Sequence, residues 1–409
     1  MQYLLFEDKS RFDLLPLTFT RPVYALRVGI DCLQEKWQRA LGSPLATFAY
    51  TYLQPRFESY NPEAETLFIN GKFVPNDELL RLLHEGCAPA TFLHTASGEI
   101  IAARCIANQV QRPEGVLSLE ALQNSGLRPV LADLGHTIAI RYPWDIFRNN
   151  GAIIRQDYLA LTARRKSAPI TDKFSAIYGK DNIFIEAGVK LRANVINAED
   201  GPIYLGKNVT LQEGAMLHGT HALCDHAVLS MGAKMRGDST IGPYSKVGGE
   251  VGNSVIQGYS NKGHDGYLGN SVLGQWCNLG ADTNTSNLKN NYSEVRVWNY
   301  PEGRFAPTGS IFCGLIMGDH SKCGINTMFN TGTIVGVSAN IFGSGYPRTF
   351  IPSFSWGGSA GFSTYQMRKV KEVAAAVMQR RKIEFGDEEA NILQSVFELT
   401  APHRRWETK

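Results

Sequence analysis

The residues best suited to chemistry lie in one bend, Ser260-Asn261-Lys262-Gly263-His264-Asp265-Gly266-Tyr267. An imidazole such as that of His264 changes charge near neutral pH, the range a general base needs to take a proton from an attacking amine. Gly263 and Gly266 permit a tight turn and leave main-chain amides to meet a developing oxyanion. Lys262 and Tyr267 offer polar groups for a phosphorylated sugar, and Asn278 and Asn287 offer donors and acceptors for its hydroxyls. These residue types together suit acyl transfer from a thioester to an amine, with His264 as the base. The plain alternative is a surface histidine in a flexible glycine loop.

The elements that position this bend show a strict period of six. Aliphatic residues recur at Leu205, Leu211, Leu217, Leu223, Leu229, Met235, Ile241 and Val247, and a second residue, usually small, follows each by four. Neither a 3.6-residue helix nor an alternating strand has this period. A three-faced coil of short parallel strands does, with its aliphatic column buried by stacking. The register recurs from Ile185 and again from Leu273 to Ile341, which predicts about eighteen hexapeptides, or about six coils. Two stretches, Gly252 to Tyr267 and Asn284 to Ser310, break the period and are expected to be loops on one face. In the second, Trp298 and Arg304 are candidates to stack on an adenine, with core packing as the bland reading.

The first 160 or so residues lack the six-residue period. Tyr3–Phe6 and Glu65–Asn70 read as buried strands, residues 30–41 as a helix, and Asp77 as the cap of another. Strands alternating with helices predict an α/β domain with a Rossmann-like, mainly parallel sheet. The expected division is an α/β domain over 1–162, a linker over 163–180, a β-helix over 181–350 and C-terminal capping helices over 351–409. The first of those helices is expected from Ser363 or Thr364. A net charge of +3 argues against nucleic acid or an anionic membrane as partner. No apolar run approaches membrane-spanning length, and the seven cysteines form no CxxC pair. The chain is expected to be cytoplasmic. His218, His221, His226 and His320 have no convincing ligand spacing, so no metal site is expected.

Within 260–292, Ser260, His264, Tyr267-Leu268-Gly269, Asn278, Gly280-Ala281, Thr283 and Asn287 stand in gapless order. The run resembles the acetyltransferase site of the bifunctional N-acetylglucosamine-1-phosphate uridyltransferase/glucosamine-1-phosphate acetyltransferase family. Pro16-Leu17-Thr18 and Arg21-Pro22 resemble the opening loop of its sugar-1-phosphate nucleotidyltransferase domain, and Trp144-Asp145-Ile146 with Asn149-Asn150 resembles the segment closing it. The resemblance implies a left-handed β-helix of hexapeptide repeats, a homotrimer, and a role in nucleotide-sugar biosynthesis for the cell envelope. It also implies acetyl-CoA as co-substrate near Gly280, Ala281 and Thr283, and a sugar phosphate with UTP or dTTP as further ligands. Two departures mark the N-terminal domain. The glycine-rich turn is replaced by Phe6-Glu7-Asp8-Lys9-Ser10, which leaves Lys9, Arg11, Thr18 and Arg21 as weak nucleotide contacts. Lys72 stands where the family has an Mg²⁺-holding Asp, and a lysine cannot ligate Mg²⁺; Mg²⁺ is left open. The expected function is an acyltransferase acting on an amino-sugar phosphate, fused to a divergent nucleotidyltransferase domain. An active nucleotidyltransferase with an oligomerising β-helix and a non-catalytic trimeric sugar-nucleotide scaffold are the alternatives.

Overall fold

The structure, a computed structural model, describes residues 1–407. The last two residues of the expected C-terminal region lie outside it. The chain divides into two compact units. Unit 1 comprises residues 1–14, 20–26 and 31–142; unit 2 comprises 15–19, 27–30 and the remainder from Pro143.

Unit 1 is built on a six-stranded sheet of β1 (Gln2–Phe6), β2 (Leu45–Thr47), β3 (Glu65–Asn70), β4 (Thr91–His94), β5 (Ile100–Ile106) and β6 (Arg128–Leu131), in the order β2-β1-β3-β5-β4-β6. Alternation along β1 places Leu4 and Phe6 in one apolar layer and Leu5 in another. The sheet is therefore covered on both faces, as the continuous apolar runs of its strands require. It is mixed: β1 runs parallel to β2 and β3, and β4 to β6, while β5 is antiparallel to both of its neighbours. The helix expected from Ile30 spans Leu33–Leu41. Asn76, not Asp77, caps the helix Asp77–Arg81, its side chain accepting from the Leu79 amide at 2.7 Å.

Unit 2 is a parallel β-solenoid with three sheet faces. Among the described residues two faces carry nine-strand parallel runs, so the stack has about nine turns on these faces rather than six. The surplus turns were hidden because several are not eighteen residues long. Lys246 pairs with Val228, eighteen residues back, but with Asn261 only fifteen ahead. Leu205, Leu223, Ile241, Ile256, Leu273, Met317, Val335 and Ile351 stack as one interior column. All are at most 1% exposed, so the period of six is the period of burial.

The expected loop at 252–267 is not a loop. The strands Val255–Gly258, Asn261–Lys262 and Tyr267–Gly269 continue the three faces in register. The second break, at 284–310, does leave the stack, as the antiparallel hairpin Arg296–Asn299/Arg304–Pro307. At one corner a column of rings, His226, Tyr244, Tyr259, Trp276 and His320, stacks at 4.5, 5.4, 4.4 and 6.3 Å. Each adopts φ between 54° and 62°. Stacking offsets the cost of about 1 kcal/mol that the left-handed region imposes on a non-glycine residue.

The 20-residue helix Pro143–Thr162 packs on the coils. Ile154 joins Phe184, Tyr204 and Ala222 in a common cluster. This helix, assigned by the sequence to the α/β domain, thus has its packing partners in unit 2. At the far end, Gly361–Thr364 is a strand, antiparallel to Ser355–Gly358, where a helix start was expected. The helices Met367–Gln379 and Asp387–Leu399 follow, and Phe397 meets Phe354 of the last coil edge-on at 5.0 Å.

Candidate functional site

The solenoid carries a recess at one corner, lined by Ser230, Met231, Gly248, Gly249, His264 and Ala281, among others. Its origin is a difference in corner length. Successive strands on this edge are joined by four residues at Ser230–Ala233, by two at Gly248–Gly249 and by four again at Gly263–Gly266. The short glycine corner draws the chain inward between two longer ones and leaves a notch. Only glycine fits there: a Cβ on Gly248 would meet the Gly263 carbonyl oxygen at 2.6 Å, and one on Gly249, at φ +70°, the Gly266 oxygen at 2.6 Å.

His264 is exposed at the lip of the notch. The bend below it is fastened twice. Ser230 Oγ donates to the Gly263 carbonyl at 2.9 Å, and Lys262 Nζ donates to the carbonyls of Gly248 at 2.9 Å and His264 at 3.0 Å. Lys262 is not on the surface, where a substrate contact would require it. It stands in line with Val247 of the aliphatic column and is 1% exposed. Burial pulls its pKa down to about 8, against the attraction of Asp265, Cys323 and Asp282. Thr283, likewise buried, donates to the Gly280 carbonyl at 2.7 Å.

The other residues named from sequence fall on the flanking faces. Tyr267 Oη accepts from Asn287 Nδ2 at 3.1 Å, and that amide also donates to Asn270 Oδ1 at 2.7 Å. Burial raises the Tyr267 pKa. Asn278 Oδ1 accepts from Asn261 Nδ2 at 2.9 Å. Gly280 packs under Gly324, and Ala281 lines the notch beside His264. The structure thus brings His264 and Ala281 together, pairs Tyr267 with Asn287, and turns Lys262 and Thr283 inward. Met231, which also lines the notch and is 71% exposed, was not foreseen. In the hairpin, Trp298 lies flat on Phe350 at 4.3 Å and Arg304 pairs with Glu302 at 2.6 Å.

Unit 1 has its own cleft, at the carboxyl ends of β1 and β3, where ligands of open α/β sheets bind. Asp8, Lys9, Ser10, Lys72 and Glu99 line it. Of the suggested nucleotide contacts, Lys9 faces this cleft. Arg11 is 1% exposed, paired with Glu7 at 3.2 Å and stacked on Tyr50 at 4.4 Å. Arg21 is buried, and Thr18, also buried, belongs to unit 2. Lys72 bridges Asp8 at 2.6 Å and Glu99 at 2.8 Å. Burial would raise the Asp8 carboxyl, but Lys72, Ser10 and Asn70 outweigh it and hold it below the usual range. Glu99 is likewise held low, by Arg141 and Lys72 against burial. The four histidines considered for a metal do not converge: His221 is interior, His226 and His320 sit in the ring column, and His218 pairs with Asp200 at 3.2 Å.

Unit 1 thus carries a cleft at its strand ends, and the solenoid of unit 2 a notch beside a histidine. The family model described as sugar nucleotidyl transferase matches residues 3–166. The chain is 31% identical over 160 residues to a bifunctional sugar-1-phosphate nucleotidylyltransferase/acetyltransferase of Sulfurisphaera tokodaii, covering 39% of this chain and 37% of that one. It is 37% identical over 87 residues to bifunctional protein GlmU of Methanocaldococcus jannaschii, 21% of each chain. Over 182 residues it is 25% identical to a protein named uncharacterized acetyltransferase YaiX of Escherichia coli, covering 44% of this chain and 70% of that one. The chain spans well under half the length of the first two relatives. It is related, at modest identity, to bifunctional sugar nucleotidyltransferase/acetyltransferase proteins. Among the described residues no helix is long and apolar enough to cross a membrane.

Proposed function

We propose that this chain is a transferase that moves an acyl group, acetyl from acetyl-CoA, onto the amine of an amino-sugar phosphate. The observation that carries the reading is His264 at the lip of the glycine notch, on a bend fastened from within by Lys262. The amine attacks the acyl carbonyl carbon as His264 takes its proton. Charge gathering on the carbonyl oxygen is met by main-chain amides of the Gly263–Gly266 bend. The carbon–sulfur bond then breaks, and the leaving sulfur recovers the proton from the imidazolium. Tyr267, Asn287 and Asn278 hold the sugar, and Gly280 and Ala281 border the thioester. Lys262 and Thr283 serve from inside, as supports of the bend. Met231 and Ile325, 71% and 70% exposed, supply apolar surface for a neighbouring protomer in a homotrimer. The α/β unit within residues 1–162 is a divergent nucleotidyltransferase domain, and the cytoplasm and nucleotide-sugar biosynthesis are its setting.

A paired assay on a panel of sugar phosphates tests this. Acetyl-CoA should be consumed with release of free thiol, and His264→Ala should abolish that release while remaining folded. Unchanged turnover in this variant would remove the base assignment. The match of residues 3–166 favours a second reading, nucleotidyl transfer, under which UTP or dTTP and a sugar 1-phosphate release pyrophosphate instead. Binding of a sugar nucleotide with neither release would leave a scaffold.

A further inference from the structure

Asp8 and Glu99 approach one another in the unit 1 cleft, Asp8 just beyond the end of β1 and Glu99 just before β5. Two carboxylates converging at the carboxyl ends of parallel strands make a cation site, and hard divalent ions take such oxygen donors. The position between them is filled by the chain itself. Lys72 Nζ lies 2.6 Å from Asp8 Oδ2, 2.8 Å from Glu99 Oε1 and 3.2 Å from Ser10 Oγ. The three hydrogens of the ammonium thus meet three oxygens. The Lys72 side chain is 3% exposed. A second ring holds the carboxylates in place: Asn70 Nδ2 donates to Asp8 at 2.8 Å, and Arg141 grips Glu99 through two bonds at 2.8 and 2.6 Å.

Mg²⁺ does not fit these residues. It requires octahedral oxygen contacts at about 2.1 Å. To reach both carboxylates it would have to displace a buried ammonium and add two positive charges beside Arg141 and the displaced Lys72. The charges already balance, with Asp8 and Glu99 against Lys72 and Arg141, before any ligand arrives.

We propose that Lys72 is the resident cation of this cleft, so that unit 1 takes its sugar-phosphate ligand without a divalent ion. This rests on reading residues 1–162 as a divergent nucleotidyltransferase domain. Its test is a Mn²⁺ titration of the full chain followed by electron paramagnetic resonance. The wild-type chain should hold no Mn²⁺ at concentrations where Lys72→Ala holds one ion per chain, at least about tenfold more tightly. Asp8→Asn added to Lys72→Ala should remove that ion. One Mn²⁺ bound to the wild-type chain and released by Asp8→Asn alone would overturn the proposal, and this measurement stands even where Lys72→Ala fails to fold. A folded Lys72→Ala chain that binds none would also overturn it. Thiol release from acetyl-CoA reads the solenoid reaction separately, so either proposal can fail without the other.

Discussion

Lys262 Nζ donates to the main-chain carbonyl of His264 at 3.0 Å, from a position inside the solenoid that its neighbouring turn gives to Val247. The same ammonium holds Gly248, so one buried charge ties the short corner to the bend that carries the proposed base. Lys262→Met keeps the length and fills the column but frees the bend. Because misplacing a catalytic group by about 1 Å can cost on the order of a hundredfold, thiol release should fall at least about tenfold with the fold retained. The stability comparison has a defined pH dependence. The folded pKa is about 8, below the ordinary value of 10.5, so the unfolded chain binds more protons between these values. Wild-type stability should therefore rise with pH from 8 to 10.5 relative to Lys262→Met, by on the order of 3 kcal/mol. Urea denaturation of both chains across that range checks it; parallel curves would mean that Lys262 does not carry a buried charge.

Gly249 sets the depth of the notch. At φ +70°, with the Gly266 oxygen 2.6 Å from where a Cβ would stand, Gly249→Ala must strain its own backbone and push the next bend outward. A loss of about 1–3 kcal/mol is expected, with a larger fractional loss of thiol release than of melting temperature. Gly232→Ala, at φ +66° with nothing near the added methyl group, is the control. It shares the backbone cost but not the collision, so it should leave transfer intact.

The repeat was legible because burial in a solenoid imposes its period directly on side-chain polarity, as the column Leu205–Leu223–Ile241 shows. Shorter turns escaped because a two-residue corner such as Gly248–Gly249 shifts the register without ending the stack. The sequence placed His264 in a loop, whereas its bend is a corner between two strands of the stack. Lys262 was not legible: a lysine in a polar bend reads as surface, and only the pairing of its strand with Lys246–Val247 turns it inward. Three of the five strand pairings in unit 1 are parallel, as a mainly parallel sheet requires; the antiparallel β5, Ile100–Ile106, was hidden because it has the same apolar run that a parallel strand would have.

His221 is buried in the solenoid with Nε2 at 3.1 Å from the His218 carbonyl. Burial pulls its pKa from 6.5 down to about 4. The unfolded chain therefore binds the extra proton first, and stability should fall as pH drops from 6.5 to about 4, by at most about 1.4 kcal/mol per pH unit. His221→Gln keeps a donor for the His218 carbonyl and removes the titration. Its denaturation midpoint should change less with pH in that window than that of the wild-type chain, and an equal slope would assign the acid sensitivity elsewhere.

Asn150 fastens the helix Pro143–Thr162 to the coils through both ends of its amide. Its oxygen accepts from the Gly29 amide at 2.8 Å, while its nitrogen donates to the Asp238 carbonyl at 2.8 Å and to Thr240 Oγ1 at 3.0 Å. The side chain is fully buried, so no water replaces a lost partner. Asn150→Ala leaves the Gly29 amide and the Asp238 carbonyl without this partner and opens a small void. Each unmet buried group costs about 1–3 kcal/mol, which places the expected loss from the two at about 2–6 kcal/mol. Asn150→Asp keeps the acceptor for Gly29 but replaces the donor with a second acceptor facing the Asp238 carbonyl, and buries a carboxyl. It should therefore be no more stable than Asn150→Ala at pH 7 and should recover part of the loss near pH 4, where a protonated carboxyl donates again. Urea melts of the three chains at both pH values decide the point: an Asn150→Asp chain as stable as wild type at pH 7 would show that the amide nitrogen, and with it the link to the coils, contributes nothing.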